Sequence, residues 1–455
     1  MLNYRFRYLA VMAPGGRILT PHCSRRNFLK KILSLVGMAA LICIFPFKVK
    51  IRSRTGTGIR FVPMKKRNSL SGPSRHAVAI QKCDSYDPEQ VYAAIRQGLE
   101  AIKFKIRPRM TVLLKPNIIG QNRPDQATTT HPAVVDAVCR IFTENQCRVS
   151  IGDSSAFYQG GGTRAGLDTA GISPVAEKYG AAILPFETTR LREITSGRAL
   201  NPFYITEAIF QHDLVVNLPK LKVHRLARYT GALKNIYGCV VGGSKQIYHR
   251  KFQDRPDYKE FWGKPLVDVY EAVNPGLSIM DGIIGLDKDG PAASGEPRKT
   301  GLLLVSENGA ALDVIACRII GYDPLWVPAV REALERGLTS LVKAVALGAV
   351  PSVPYVKLPD AKPLTGISKK VDSYLFDQFI VEPRITKSAC DRCGKCVEDC
   401  APRAIGYDEK QYPRIDYTKC IYCYCCEEYC PRRAIYLSGS SVNYLMRGIR
   451  RILKL

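Results

Sequence analysis

The chain has 455 residues, room for a few domains at about 100–200 residues each. Hydrophobic residues make up 46 % and charged residues 24 %, which excludes a disordered chain, and a single apolar run excludes a multi-span membrane protein. Lys and Arg outnumber Asp and Glu by 67 to 40, but sixteen of the basic residues and none of the acidic ones fall within residues 1–75. The net charge of +27 is therefore concentrated at the N-terminus, which points to targeting and not to a nucleic-acid groove, so no nucleic-acid partner is expected.

Ser24-Arg25-Arg26-Asn27-Phe28-Leu29-Lys30 stands directly before an apolar run from Ile32 to Phe47. A basic stretch ahead of an apolar core has the layout of a secretory signal. The paired Arg, the Phe-Leu after one spacer and the trailing Lys resemble the twin-arginine signal. That resemblance implies export by the twin-arginine translocase, to the outer face of the cytoplasmic membrane. No small-x-small cleavage site follows the run, and its 16 residues fall short of the ~20 that span a bilayer comfortably. Residues 1–47 are thus expected to be a signal that also serves as an anchor. Residues 48–74 (Arg, Lys, Gly, Ser, Pro) read as a basic linker.

From residue 75 the pattern alternates between strand and helix. Strands are expected at 76–80, 110–114, 148–151, 182–185, 214–217, 277–280 and 302–305, and helices at 88–102, 132–142, 163–179 and 311–320. Val91, Ala94, Ile95 and Leu99 mark one face of the first helix, and Pro132 opens the second. Such βαβα order predicts an α/β domain with a mostly parallel sheet over 75–330. Residues 331–385 read as a helix near 329–347 and a Pro-rich connection. Five cysteines (Cys83, Cys139, Cys147, Cys239, Cys317) fall in or near apolar runs and read as buried free thiols.

Nine of the sixteen cysteines lie within 390–430. Cys390, Cys393, Cys396 and Cys400 are spaced x2-x2-x3, and Cys420, Cys423, Cys426 and Cys430 repeat that spacing. An iron–sulfur cubane takes three thiolates from one such run and the fourth from the other. One [4Fe–4S] cluster should then use Cys390, Cys393, Cys396 and Cys430, and a second Cys420, Cys423, Cys426 and Cys400. Zinc sites pair two CxxC knuckles and do not take two runs of this kind. Ala404-Ile405 and Ala434-Ile435 extend the repeat at a period of thirty residues. Residues 386–437 resemble the bacterial two-cluster ferredoxin, which implies a small α+β iron–sulfur module relaying single electrons. One departure is Ala401 between Cys400 and Pro402, where the second run has Cys430-Pro431. Cys425 is an extra thiol beside the second run.

Polar clusters sit where the α/β strands should end: Lys115-Pro116-Asn117, Thr130-His131, Asp153-Ser154, Asn217 to His224, Thr230 to Asn235, and Asp281-Gly282 with Gly290-Pro291. Ligands of an open parallel sheet bind at the carboxyl ends of its strands. Lys115, Asn117, His131, Asp153, Lys220, Lys222, His224 and Lys234 are the candidate catalytic or binding residues. Together they suit a small anionic substrate. A desolvated Lys there is a candidate base or nucleophile, and His131, His224 and Asp153 are candidate ligands of a further metal. The plainer readings are a helix N-cap at Asp153-Ser154, a structural His131, and Lys220 and Lys222 sharing one solvated strand face. Tyr158 to Thr163 is glycine-rich but matches neither the Walker spacing nor GxGxxG. The Asn-x-Pro-Lys-x-Lys-x-His segment (217–224) and the Thr-Gly-x-x-Lys-Asn segment (230–235) resemble the domain of unknown function 362 over 76–325, a family often fused to ferredoxin modules.

The tail 438–455 carries Leu445, Ile449, Ile452 and Leu453 against a basic face, as an amphipathic helix on a membrane surface or on the protein would. The whole reads as an exported, membrane-associated iron–sulfur redox protein. Its ferredoxin module would pass electrons to or from the α/β domain, with a redox partner protein or a small anion as partner. Two other readings stand beside it: an electron-transfer subunit that docks a partner oxidoreductase, and a non-redox enzyme with structural clusters.

Overall fold

A computed structural model of the chain describes residues 76–155, 162–253, 255–288, 290–291, 295–357 and 381–440. The signal, the linker, most of the glycine-rich segment, the centre of the Pro-rich connection and the tail after residue 440 lie outside the described residues.

The strands of the first domain are β1 (Ala77–Lys82), β2 (Thr111–Lys115), β3 (Arg148–Asp153), β4 (Ala182–Pro185), β5 (Leu191–Ile194), β6 (Phe203–Thr206), β7 (Leu214–Asn217), β8 (Lys220–His224), β9 (Arg228–Thr230), β10 (Leu277–Lys288), β11 (Gly295–Ser306) and β12 (Val345–Leu347). Ten of them form one sheet in the order β12-β1-β11-β10-β7-β2-β3-β4, with β8 paired to β10 and β9 to β8. The run β10-β7-β2-β3-β4 is parallel throughout, and the β1–β11, β10–β11 and β8–β9 pairs are antiparallel. This is the α/β, mostly parallel sheet expected from the alternation of elements.

Alternation along β2 shows how the layers form. Val112 and Leu114 face a core with Val91, Ile95, Val134 and Val138, while Leu113 faces a second core with Val215, Leu266 and Ile315. Helices Pro88–Ala101 and Pro132–Glu144 cover the first face, and Gly263–Val273 and Gly309–Ile319 the other. Asp87 caps the first of these helices by accepting from the Gln90 amide at 2.9 Å.

The differences from expectation have local causes. The single helix expected over 163–179 is two, Gly162–Thr169 and Ile172–Lys178, because Gly171 takes a left-handed φ of +72° between them. The helix near 329–347 spans only Pro328–Glu335; Gly337 follows at φ +75°, and the chain then adds β12 beside β1. Strands 277–280 and 302–305 are parts of a twelve-residue hairpin pair, β10 and β11; the outer half of β10 is interrupted by Gly282 and Gly285, and that of β11 (Gly295–Thr300) is too polar to read as strand. Segment 220–224 is itself a strand, β8, where a strand-end loop was expected.

The second region carries β13 (Glu382–Ile385), β14 (Ile405–Tyr407), β15 (Pro413–Ile415) and β16 (Ile435–Ser438). They pair as β13–β16 and β14–β15, with short helices at Lys395–Glu398 and Cys425–Tyr429. This is the small α+β module.

One buried carboxylate holds the 230–235 turn in place. Asp313 accepts from the amides of Ala232 (2.7 Å) and Leu233 (2.9 Å) and from the Tyr229 hydroxyl (3.0 Å). Burial pushes its carboxyl from 3.8 up to about 7, against the lowering effect of those three bonds. The native state thus holds this proton where the unfolded chain releases it. Ionisation of Asp313 should weaken the fold as pH rises from about 4 to about 7. Asp313→Ala should cost about 3 kcal/mol by leaving three donors unpaired, and should flatten that pH dependence in anaerobic denaturant titrations.

Candidate functional site

The two cysteine runs have the same backbone. The amides of Ala404 and Ala434 donate to the sulfurs of Cys400 and Cys430, each at 3.2 Å. The amides of Arg403 and Arg433 donate to the carbonyls of the same two cysteines at 2.8 and 3.0 Å, and both residues are left-handed. Ala401 therefore does not alter the turn that Pro431 makes in the second run. Cys390, Cys393, Cys396 and Cys430 line one cavity. Cys400, Cys420, Cys423 and Cys426 line another, which Cys396 and Cys425 also border. Each cavity thus gathers three sulfurs from one run and one from the other. Ile385 and Ile435 wall the first, and Ile405 and Ile415 the second.

Burial pushes the Cys396 thiol up to about 11 and that of Cys420 up to about 12. A metal that binds here must displace protons. Among the described residues no three His, Cys, Asp or Glu side chains converge as a single metal ion needs. The cysteine quartets are instead spread around a volume, which suits a multi-iron cluster whose thiolates attach to different irons.

The second run is pressed against the α/β domain. The Gly243 amide donates to the Tyr422 carbonyl at 2.9 Å, and Ser244 Oγ donates to the Ile421 carbonyl at 2.8 Å. Gly242 is left-handed (φ +56°), and a Cβ there would run into the Cys423 carbonyl. Its amide donates to Ser154 Oγ, just past β3, at 3.0 Å. Cys425 is buried, with Sγ 4.0 Å from the Thr189 carbonyl, so this extra thiol faces the contact. Arg190 and Asp399 add an ion pair at 3.0 Å.

Behind Ser154 lies a buried polar chain. Ser154 Oγ donates to Glu187 Oε1 at 2.6 Å and accepts from Lys245 Nζ at 2.7 Å. Thr163 also donates to Glu187 Oε1, while Glu187 Oε2 has no partner. Burial raises the Glu187 carboxyl and lowers Lys245 to about 8. Asp153, the next residue toward the sheet, pairs with Lys115 at 2.6 Å and accepts from the amides of Ser154 and Ile118.

The other strand-end residues form two groups. Lys220 pairs with Asp281 at 2.8 Å and donates to the Tyr86 hydroxyl, which in turn donates to Asp281 at 2.9 Å. His131 caps the helix at Pro132 through Nδ1, and its ring stacks on Tyr86 at 3.6 Å; burial lowers it to about 4. Lys222 donates to Asn117 Oδ1 at 2.5 Å and to the Thr128 carbonyl at 2.7 Å. Asn117 reaches Asn235, and Asn235 reaches Asn217, so β2, β7 and the 230–235 turn are tied together. His224 accepts from the amides of Leu226 and Ala227 through Nδ1, and burial holds it well below its usual range. Lys234 is half-buried with no partner among the described residues, and burial lowers it to about 8.

Lys220 and Lys222 do share one strand face, but it is buried, at 0 % and 1 % exposure, and not solvated. His131, His224 and Asp153 do not come together: each is engaged in a different local structure. The structure adds Tyr86, Glu187, Lys245 and Asp281. Asp281 was visible as a polar residue after a strand, whereas Glu187 and Lys245 carry no spacing signal.

The described parts match known proteins as follows. A domain of unknown function (DUF362) matches residues 112–318, and a 4Fe-4S binding domain matches residues 413–436. A thylakoid-associated protein, sll1697, of Synechocystis sp. is 33 % identical over 265 residues, covering 58 % of this chain and 80 % of that protein. Among solved structures, the lactate racemase apoprotein of Thermoanaerobacterium thermosaccharolyticum aligns at 12 % identity and a TM-score of 0.34, over 55 % of this chain and 58 % of that one. A Thermotoga maritima protein aligns at 12 % and 0.34, over 56 % and 60 %. The chain thus spans less than two thirds of either solved structure.

Removing one partner of a buried ion pair leaves the other charge uncompensated. Lys115→Met should destabilise the protein by about 3–5 kcal/mol, and the double variant with Asp153→Asn should recover part of that, in anaerobic denaturant titrations. With its matched domain and its Synechocystis relative, the chain belongs to the DUF362 family and carries a 4Fe-4S binding domain at its C-terminal end.

Proposed function

We propose that the chain is an exported iron–sulfur redox protein in which a two-cluster module exchanges electrons with an anion-binding α/β domain. Cys390, Cys393, Cys396 and Cys430 would hold one [4Fe–4S] cluster, and Cys420, Cys423, Cys426 and Cys400 the other. When bound, such clusters supply single-electron transfer at potentials tuned by hydrogen bonds and burial. The amides of Ala404 and Ala434 supply one such hydrogen bond to each quartet.

The observation that carries the reading is the contact between the Cys423 loop and Gly242–Ser244. It places the second quartet, and not the first, against the strand-end network of Ser154, Lys245, Glu187 and Asp153. A cluster held by that quartet would lie beside buried charges and fixed dipoles that need little reorganisation when its charge changes. The first quartet is then the port for a soluble or membrane-bound redox partner.

The Ser24–Lys30 segment supports export by the twin-arginine translocase, and the apolar run behind it supports tethering at the outer face of the membrane. Among the described residues no helix is long and apolar enough to cross a membrane. A second reading, an electron-transfer subunit without chemistry of its own, draws on the internal pairing of Lys115 and Lys220, which leaves fewer free cations for a substrate.

Elemental analysis of anaerobically purified full-length protein should give about eight irons per chain. Cys430→Ser should reduce this to about four while leaving the second quartet's signal intact in electron paramagnetic resonance. About four irons in the parent chain would overturn the two-cluster assignment. Loss of the second quartet's signal in Cys430→Ser would overturn the exchange of fourth ligands.

A further inference from the structure

Two buried hydroxyls on residues that flank Lys222 have nothing to bind among the described residues. Among the described residues Thr128 Oγ1 and Thr230 Oγ1 have no hydrogen-bond partner, although the residues are 0 % and 2 % exposed. The neighbouring Thr129 Oγ1 is unpartnered as well. Burying a hydroxyl without a partner costs about 1–3 kcal/mol, so native folds leave few such atoms.

Lys222 locates them. Its Nζ donates to the Thr128 carbonyl at 2.7 Å, and Thr230 is its cross-strand partner in the β8–β9 pair. Lys234 follows Thr230 on the short helix Ala232–Asn235 that directly succeeds β9, the segment fixed by Asp313 and Asn235. Lys222 and His224 both feel the charge of Lys234, and Lys222 also feels Lys220, Asp153 and Lys115, so these strand-end groups share one neighbourhood. Lys115 and Lys220 have their own carboxylates, Asp153 and Asp281. Among the described residues Lys222 hydrogen-bonds only to neutral oxygens, with Asp153 acting on it from further away, and Lys234 has no partner.

We infer that Lys234, Lys222, Thr128 and Thr230 form a binding site for a small oxyanion, a carboxylate or a phosphate. This rests on the reading of the α/β domain as anion-binding and narrows the site to these four residues. An oxyanion would accept from the orphan hydroxyls, pair with Lys234, and take the third N–H of Lys222. It would also remove the repulsion between the two ammonium groups. Lys115 and Lys220, candidates on sequence grounds, are each paired with a carboxylate of their own and are structural cations.

Calorimetric titration of the cluster-loaded full chain with inorganic phosphate, and separately with acetate, tests this. Saturable binding of one anion per chain is expected in at least one arm, and the arm that saturates assigns the class. Lys234→Gln should weaken binding about ten-fold or more, and Lys234→Arg should largely retain it. Thr230→Val, nearly isosteric, is the second variant should Lys234→Gln fold poorly, and it should weaken binding by a smaller factor. No saturation with either anion at millimolar concentration, or unchanged affinity in Lys234→Gln and Thr230→Val, would overturn the proposal. Iron content measured on the same samples separates the two readings. Anion binding can fail while the clusters remain, and clusters can be lost from the Cys430→Ser chain while anion binding remains.

Discussion

Charge buried at the ends of parallel strands is the constraint on which the rest of this structure depends. Lys115 and Lys220 are wholly enclosed, and each survives there through one carboxylate, Asp153 or Asp281. An ammonium group in such surroundings is costly unless paired and hydrogen-bonded. The two pairs therefore dictate where several backbones go. Asp153 also accepts from the Ile118 amide, and Asp281 from the His131 amide, so the 115–131 loop is pinned at both ends. That loop brings Asn117 and Thr128 over Lys222.

The same strand ends receive the iron–sulfur module. Ser154, next to Asp153, accepts from Gly242 on the α/β-domain loop that the second cysteine run packs against. Glycine is required at 242 for two separate reasons, its left-handed φ and the approach of the Cys423 carbonyl. A contact this close, built from main-chain groups on both sides, fixes the distance between module and sheet. It also explains why the two quartets differ in environment although their turns repeat. One faces the buried network, and the other is bordered by the charged residues Asp391 and Lys395.

Much of this was legible from residue patterns. The apolar faces of the helices starting at Pro88 and Pro132, the buried strands 110–114, 148–151 and 214–217, and the spacing of the eight cysteines each follow from a local period. A strand face shared by Lys220 and Lys222 was legible, but its burial was not, because alternating Lys residues look solvated, and only the partners Asp281, Tyr86 and Asn117, far away in sequence, make the face a buried one. The outer half of β11 was hidden because its residues, Gly295 to Thr300, are polar. The Lys115–Asp153 pair joins residues 38 apart, and no local rule announces it. Glu187 and Lys245 belong to the site only because the module docks there. Lys234 was named for its motif, but its lack of a partner is a property of the folded structure alone.

The central claim is that the quartet containing Cys423 is the one seated on the α/β domain. A redox titration followed by electron paramagnetic resonance, on the full chain and on its Gly242→Ala variant, tests it most directly. The added methyl group presses on the Cys423 carbonyl and on no part of the first quartet's cavity. The account predicts that one midpoint potential moves and the other does not. Two potentials that move together, or neither moving in a variant that folds, would contradict it.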